Sequence, residues 1–102
     1  MRITYDVPVR PARPVETVLY FVACEAITNA VKHAAAEQIT VDIRSDERTV
    51  EMRIRDDGKG GADPAGGGLH GLARRVAALD GWFDVHSPPG GPTTIRAELP
   101  CG

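Results

Sequence analysis

The sequence predicts an α+β fold, a two-layer arrangement in which short strands form a sheet covered on one face by helices. Three observations carry this reading. A long stretch free of Gly and Pro repeats apolar residues at helical spacing, several short runs alternate apolar and polar residues, and the order is strand, helix, strand, strand, glycine loop, helix, strand, strand. No internal repeat and no linker interrupts that order, so residues 1–102 read as one domain.

The first strand is Arg2 to Val7, with Ile3, Tyr5 and Val7 on one side, and the cluster Pro8, Pro11 and Pro14 stops it. Pro14 suits the first turn of a helix, whose missing N–H has no partner to lose. From Val15 to about Ala35 the residues Val15, Val18, Leu19, Val22, Ala26 and Ala30 recur at helical spacing, which predicts a long, half-buried helix. Ile39, Val41 and Ile43 alternate with polar residues, Ser45 to Arg48 supply a polar turn, and Val50, Met52 and Ile54 alternate again, as a hairpin does. Asp56-Asp57-Gly58-Lys59-Gly60-Gly61 follows directly, and Gly recurs up to Gly71, too often for helix or strand. Helical spacing returns from His70 to Leu79 with Gly81 as its stop, and Trp82 to His86 and Thr93 to Leu99 form two last strands around Pro88-Pro89-Gly90-Gly91-Pro92.

With 102 residues and 42% hydrophobic composition, the chain can bury a core without disulfides or a structural metal. Twelve basic and 14 acidic side chains leave a net charge of −2, which gives no general attraction to nucleic acid or anionic lipid. Cys24 and Cys101 have neither zinc-site nor disulfide-framework spacing, and both are expected reduced, as in the cytoplasm. No apolar run approaches the roughly 18 to 20 residues of a membrane span, and Met1 to Arg10 lacks the apolar region of a signal peptide. The chain is expected to be soluble and cytoplasmic without direct membrane contact, although a parent protein could be anchored elsewhere.

On the first helix Glu25, Asn29, Lys32 and His33 fall at offsets of four, seven and eight from the first, which groups them along one stripe. A carboxylate, an amide oxygen, an ammonium and an imidazole in line can hold Mg²⁺ and the phosphates it neutralises, because Mg²⁺ takes oxygen ligands and phosphate takes cationic donors. The same spacing also describes a solvated helix face. Gly66-Gly67-Gly68-Leu69-His70-Gly71-Leu72 brings glycines to a helix start, where free N–H groups and the helix dipole favour an anion; a flexible connection is the alternative. No Gly-Lys-Ser or Gly-Lys-Thr follows, so this is not a P-loop.

Taken together, E-A-I-T-N-A-V-K-H-A (Glu25 to Ala34), D-D-G-K-G (Asp56 to Gly60) and G-G-G-L-H-G-L (Gly66 to Leu72) resemble, in order, the N, G1 and G2 boxes of sensor histidine kinases in the GHKL ATPase superfamily. The segment from Gly71 to Pro100 is similar to the subfamily that pairs with LuxR-type response regulators and has a short ATP lid. The resemblance covers Val15 to Pro100.

It implies a Bergerat fold with a mixed, mostly antiparallel sheet, and an activity that binds Mg-ATP. By the resemblance Asn29 would bind Mg²⁺, and Glu25 would polarise the attacking group or a metal-bound water. Lys32 and His33 would face the phosphates. Asp56 would accept a hydrogen bond from the adenine amine, Gly58 and Gly60 would let the backbone approach the base, and Gly66, Gly67, Gly68, Leu69, Gly71 and Leu72 would shape the phosphate side and lid. Asp57 has equal claim to being a solvated loop acid. His70 reads as solvent-facing, His86 as an ordinary loop-edge residue, and Trp82 and Phe83 as packing residues.

A complete sensor kinase also carries a helical dimerisation domain with the phosphoacceptor His, and no such helix is written here. The chain therefore reads as a piece of a longer kinase, monomeric by itself, that would phosphorylate a His on a separate domain and reach a response regulator through the full-length protein. The alternative is a stand-alone GHKL anti-sigma factor or serine kinase acting as a partner-binding module.

Overall fold

The computed structural model describes residues 1–63 and 67–102. In chain order the elements are β1 (Arg2–Asp6), α1 (Arg13–Lys32), β2 (Ile39–Ser45), β3 (Thr49–Asp56), α2 (Gly67–Ala78), β4 (Trp82–His86) and β5 (Thr93–Pro100). They form one five-stranded sheet in the order β1-β2-β3-β5-β4. β1 runs parallel to β2, which the crossover through α1 allows, and the β2–β3, β3–β5 and β4–β5 pairs are antiparallel. This is the expected α+β layer pair with a mixed, mostly antiparallel sheet.

Alternation decides which strand residues meet the helices. Val50, Met52 and Ile54 of β3 and Ile95, Ala97 and Leu99 of β5 are buried, and α1 presents Val15, Val18, Leu19, Val22, Ala26 and Ala30 to them. Leu69, Leu72 and Val76 of α2 complete the core. The opposite sheet face is charged: Asp42 lies beside Arg53, Arg53 beside Arg96 and Arg96 beside Asp84 in one cross-strand row. Arg96 reaches diagonally to Glu51 at 3.5 Å and stacks over Trp82.

Four sequence expectations change. Ile3 and Tyr5 point to the helix side but remain 60% and 66% exposed, because α1 packs on β2, β3 and β5 and leaves β1 uncovered. Cys24, inside the stretch of helical spacing from Val15 to Ala35, is exposed. α1 ends at Lys32, earlier than Ala35. There the His33 and Ala34 N–H groups both donate to the Asn29 carbonyl, Ala35 takes a left-handed φ of 52°, and Ala36 N–H returns to the Ala30 carbonyl at 2.9 Å. Finally, α2 begins at Gly67 rather than His70, so two glycines lie in its first turn. At its other end Asp80 adopts φ 60°, and Gly81 N–H donates to the Val76 carbonyl at 2.9 Å. Gly81 is needed for space: a Cβ there would press on the Glu98 carbonyl and on Val76 and Leu99.

Candidate functional site

Two inward rows of the sheet are apolar until their last residue. β3 reads Val50, Met52, Ile54 and then Asp56; β5 reads Leu99, Ala97, Ile95 and then Thr93. Asp56 and Thr93 are register partners, so the polar ends lie side by side, 5% and 4% exposed. A buried carboxylate beside a hydroxyl under a helix is costly unless something polar meets it. The space above them is a cleft of about 350 Å³, within the usual range for small-molecule sites.

Glu25 and Asn29, one turn apart on α1, line one wall with His33 and Ala34 beyond them. The glycine loop supplies Lys59, Gly60, Gly61, Ala62 and Asp63, and Gly68 and Leu69 of α2 close the other side. The stripe read from the sequence is therefore only partly right in its geometry. His33, the exposed residue that caps α1, lines the cleft with Asn29, whereas Lys32 is exposed and does not line it. The lysine that does line it is Lys59.

The G1-like loop is built by short-range bonds. Asp56 Oδ1 accepts the Gly58 N–H at 2.8 Å, and Lys59 N–H donates to the Ala34 carbonyl at 3.0 Å, which ties the loop to the end of α1. Gly58 lies outside the cleft lining, but a Cβ there would collide with Ala34 and the Asp56 carboxylate. Asp57 faces the other way. Its Oδ1 accepts the N–H groups of Glu37 and Gln38 at 2.8 and 2.9 Å, and these two bonds, Gln38 first, hold its carboxyl below the usual aspartate range.

The turn between β4 and β5 buttresses the loop from behind. Gly60, at φ 67°, sits against the Pro88 carbonyl and Gly91, while Gly90 N–H donates to the Lys59 carbonyl at 2.7 Å. Gly68 brings the first turn of α2 directly onto Glu25, whose carboxylate occupies the space of the missing Cβ. Gly71 and Leu72 do not reach the cleft. Both line a neighbouring groove between α1 and α2, where Leu72 is core and a Cβ on Gly71 would meet open space. Gly66 lies outside the described residues, and Gly67 opens α2. His70 is exposed, as expected.

A family model described as "Histidine kinase-, DNA gyrase B-, and HSP90-like ATPase" matches residues 15–102. The chain belongs to that family. Membership in this ATPase family makes the chain an ATP-binding domain, and the match omits β1, the segment leading to α1 and the first two residues of α1.

Among curated relatives, the ATPase domain is 34% identical over 98 residues to the signal transduction histidine-protein kinase/phosphatase DegS of Bacillus subtilis, covering 89% of this chain and 26% of that protein. It is 35% identical over 88 residues to the sensor histidine kinase YdfH of the same species, covering 79% and 22%. The chain thus spans about a quarter of the length of these relatives. Among solved structures, the ATP binding domain of PrrB from Mycobacterium tuberculosis matches with a TM-score of 0.67 at 27% identity, over 93% of this chain and 79% of that one. The histidine kinase domain of the blue-light activated kinase from Erythrobacter litoralis matches with a TM-score of 0.72 at 20% identity, over 98% and 51%, which shows the shared fold.

Lys59, Thr93 and Ala62 line the cleft without having been singled out as site residues. Thr93 was legible in principle, as the one polar member of the row Thr93, Ile95, Ala97, Leu99. Lys59 stands inside the D-D-G-K-G motif itself. Ala62 carried no signal: it is one small apolar residue in the loop, partly buried against the core.

Proposed function

We propose that residues 1–102 form the catalytic ATP-binding domain of a sensor histidine kinase that donates the γ-phosphoryl group of Mg-ATP to a histidine on a separate dimerisation domain. The carrying observation is the cleft itself: a buried Asp56 beside Thr93 at one end and Glu25 and Asn29 a helical turn apart on its wall. The names of the curated relatives support the same reaction class.

In this reading Asp56 accepts the adenine amine, with Gly60 and the backbone around it against the base. Asn29 offers an amide oxygen to Mg²⁺, with Glu25 near it. The donor chemistry fits, because both are hard oxygen ligands and Mg²⁺ held mainly by phosphates and water needs only one or two from the protein. No group of three His, Cys, Asp or Glu placed to hold a metal is found among the described residues. Mg²⁺ would supply neutralisation of phosphate charge. Lys59 and His33 add cationic and hydrogen-bonding groups on the cleft wall, and Glu25 orients the incoming imidazole while its nitrogen bonds phosphorus and the bond to ADP breaks.

No described helix is long and apolar enough to cross a membrane. We place the domain in the cytoplasm, monomeric, reaching a LuxR-type response regulator through a longer kinase. The test is to mix the protein with the helical phosphoacceptor domain of its parent and γ-labelled ATP. Acid-labile, base-stable label on that domain's histidine is the expected result; label on serine would favour the anti-sigma type of reading, and no label would end the kinase proposal.

A further inference from the structure

Ser87 leaves β4 just before the Pro-Gly turn, and it touches two parts of the site that are otherwise separate. Its Oγ accepts the Ala62 N–H at 2.9 Å, and its carbonyl accepts the Gly61 N–H at 3.0 Å. The same Oγ lies 2.7 Å from Thr93 Oγ1. Thr93 is 4% exposed, pairs with Asp56 across the sheet and lines the cleft, whereas Gly61 and Ala62 line it where the chain leaves the glycine loop.

We propose that Ser87 is a positioning residue that couples occupancy of the Asp56–Thr93 end of the cleft to the backbone at Gly61 and Ala62; this rests on the nucleotide reading given above. The proton inventory gives the coupling its direction. A backbone N–H can only donate, so Ser87 Oγ accepts from Ala62. Across the 2.7 Å between Ser87 Oγ and Thr93 Oγ1 either hydroxyl can donate. When Thr93 gives its proton to a ligand in the cleft, Ser87 becomes the donor of that bond. The chain Ala62 N–H to Ser87 to Thr93 to ligand runs one way throughout, and hydrogen bonds aligned head to tail polarise and strengthen one another. A base that accepts from Thr93 makes Thr93 a better acceptor, Ser87 a better acceptor in turn, and the Ala62 amide more firmly held. No side chain of the loop needs to touch the base.

The amide of Ala62 reads this directly, because its hydrogen exchange reports local opening. Exchange is measured by NMR on the whole chain, free and saturated with Mg-ATP, adenosine or tripolyphosphate, for the wild type, Ser87→Ala and Ser87→Thr. ATP and adenosine are expected to slow Ala62 exchange by about two- to fivefold in the wild type, the weight of up to one hydrogen bond. Tripolyphosphate, which lacks the base, leaves it unchanged. Ser87→Ala loses the slowing while still binding ATP, and Ser87→Thr, which keeps the hydroxyl, restores it. Should Ser87→Ala fail to fold, Thr93→Val cuts the same chain at its other end and is expected to lose the slowing at saturating ATP. Unchanged slowing in the variants, or equal slowing by tripolyphosphate, overturns the coupling alone. Absence of calorimetric ATP binding by the wild type overturns the nucleotide reading and the coupling with it.

Discussion

Asp57 and Gln38 hold each other at both ends: the Asp57 carboxylate accepts the Gln38 N–H at 2.9 Å, and the Asp57 N–H donates to the Gln38 carbonyl at 3.2 Å. The two adjacent acids of the motif therefore have different tasks. Asp56 faces the cleft, and Asp57 clamps the start of β2 to the end of β3, which fixes where the glycine loop departs.

That clamp makes stability depend on acid. Asp57, and likewise Asp46, whose carboxylate accepts the Thr49 and Arg48 N–H groups, have folded-state pKa values held below normal. Their contribution is complete above the unfolded aspartate value of about 3.9 and is lost as pH falls through the folded values. Thermal melts should show a falling Tm from about pH 5 to about pH 3, and Asp57→Asn should flatten part of that fall while lowering Tm at neutral pH. Parallel profiles for variant and wild type would contradict the clamp.

Asp56→Asn separates folding from binding. The amide keeps an oxygen for the Gly58 N–H, so the loop retains its geometry, but the carboxylate facing the cleft is gone. Calorimetry should record a loss of about tenfold or more in ATP affinity, the scale of one hydrogen bond to a charged group, with Tm within about 2 °C of wild type. A large Tm loss with unchanged affinity would show that Asp56 is structural only.

Gly68 and Gly71 should respond oppositely to alanine. A methyl at Gly68 displaces the Glu25 carboxylate, and phosphoryl transfer is expected to fall more than ATP affinity does. A methyl at Gly71 meets open space inside α2 and should stabilise the protein by about 0.5 to 1 kcal/mol, with transfer unaffected. Chemical denaturation and a transfer assay on both variants decide it.

The cleft lysine can be identified by exchange of charge. Lys59→Ala is expected to weaken ATP by about three- to tenfold and to reduce the salt dependence of binding, and Lys32→Ala to change neither. Equal effects of the two substitutions would return Lys32 to the site.

The fold was readable because each of its elements announces itself locally. Alternation in Val50, Met52 and Ile54 and the 3.6-residue rhythm from Val15 to Ala30 survive into the structure almost unchanged. What the sequence did not show depends on distant partners. α2 starts in glycines of low helix propensity, and the missing Cβ of Gly68 is what lets its first turn lie against Glu25. Ile3 and Tyr5 look like core residues, and only the lateral position of α1 leaves them outside. Glu25, Asn29, His33 and Asp56, singled out by motif and spacing, come together on one cleft, whereas Lys32 of the same stripe does not line it. Ser87 was invisible, since nothing in Ser-Pro-Pro says that its oxygen will meet Ala62.

The last two residues also have work in the fold. The Cys101 carbonyl accepts the Ala12 N–H at 2.7 Å at the mouth of α1, its N–H donates to the Arg48 carbonyl at 2.8 Å in the hairpin turn, and its thiol is buried. The tail is thus a latch between the helix entrance and the hairpin, although it follows the final strand. Anyone trimming this domain to its regular elements would cut at Pro100 and release both. A soluble tag joined after Gly102 keeps the latch, but the seam must leave that glycine itself, whose Cβ position is already taken by Ala12.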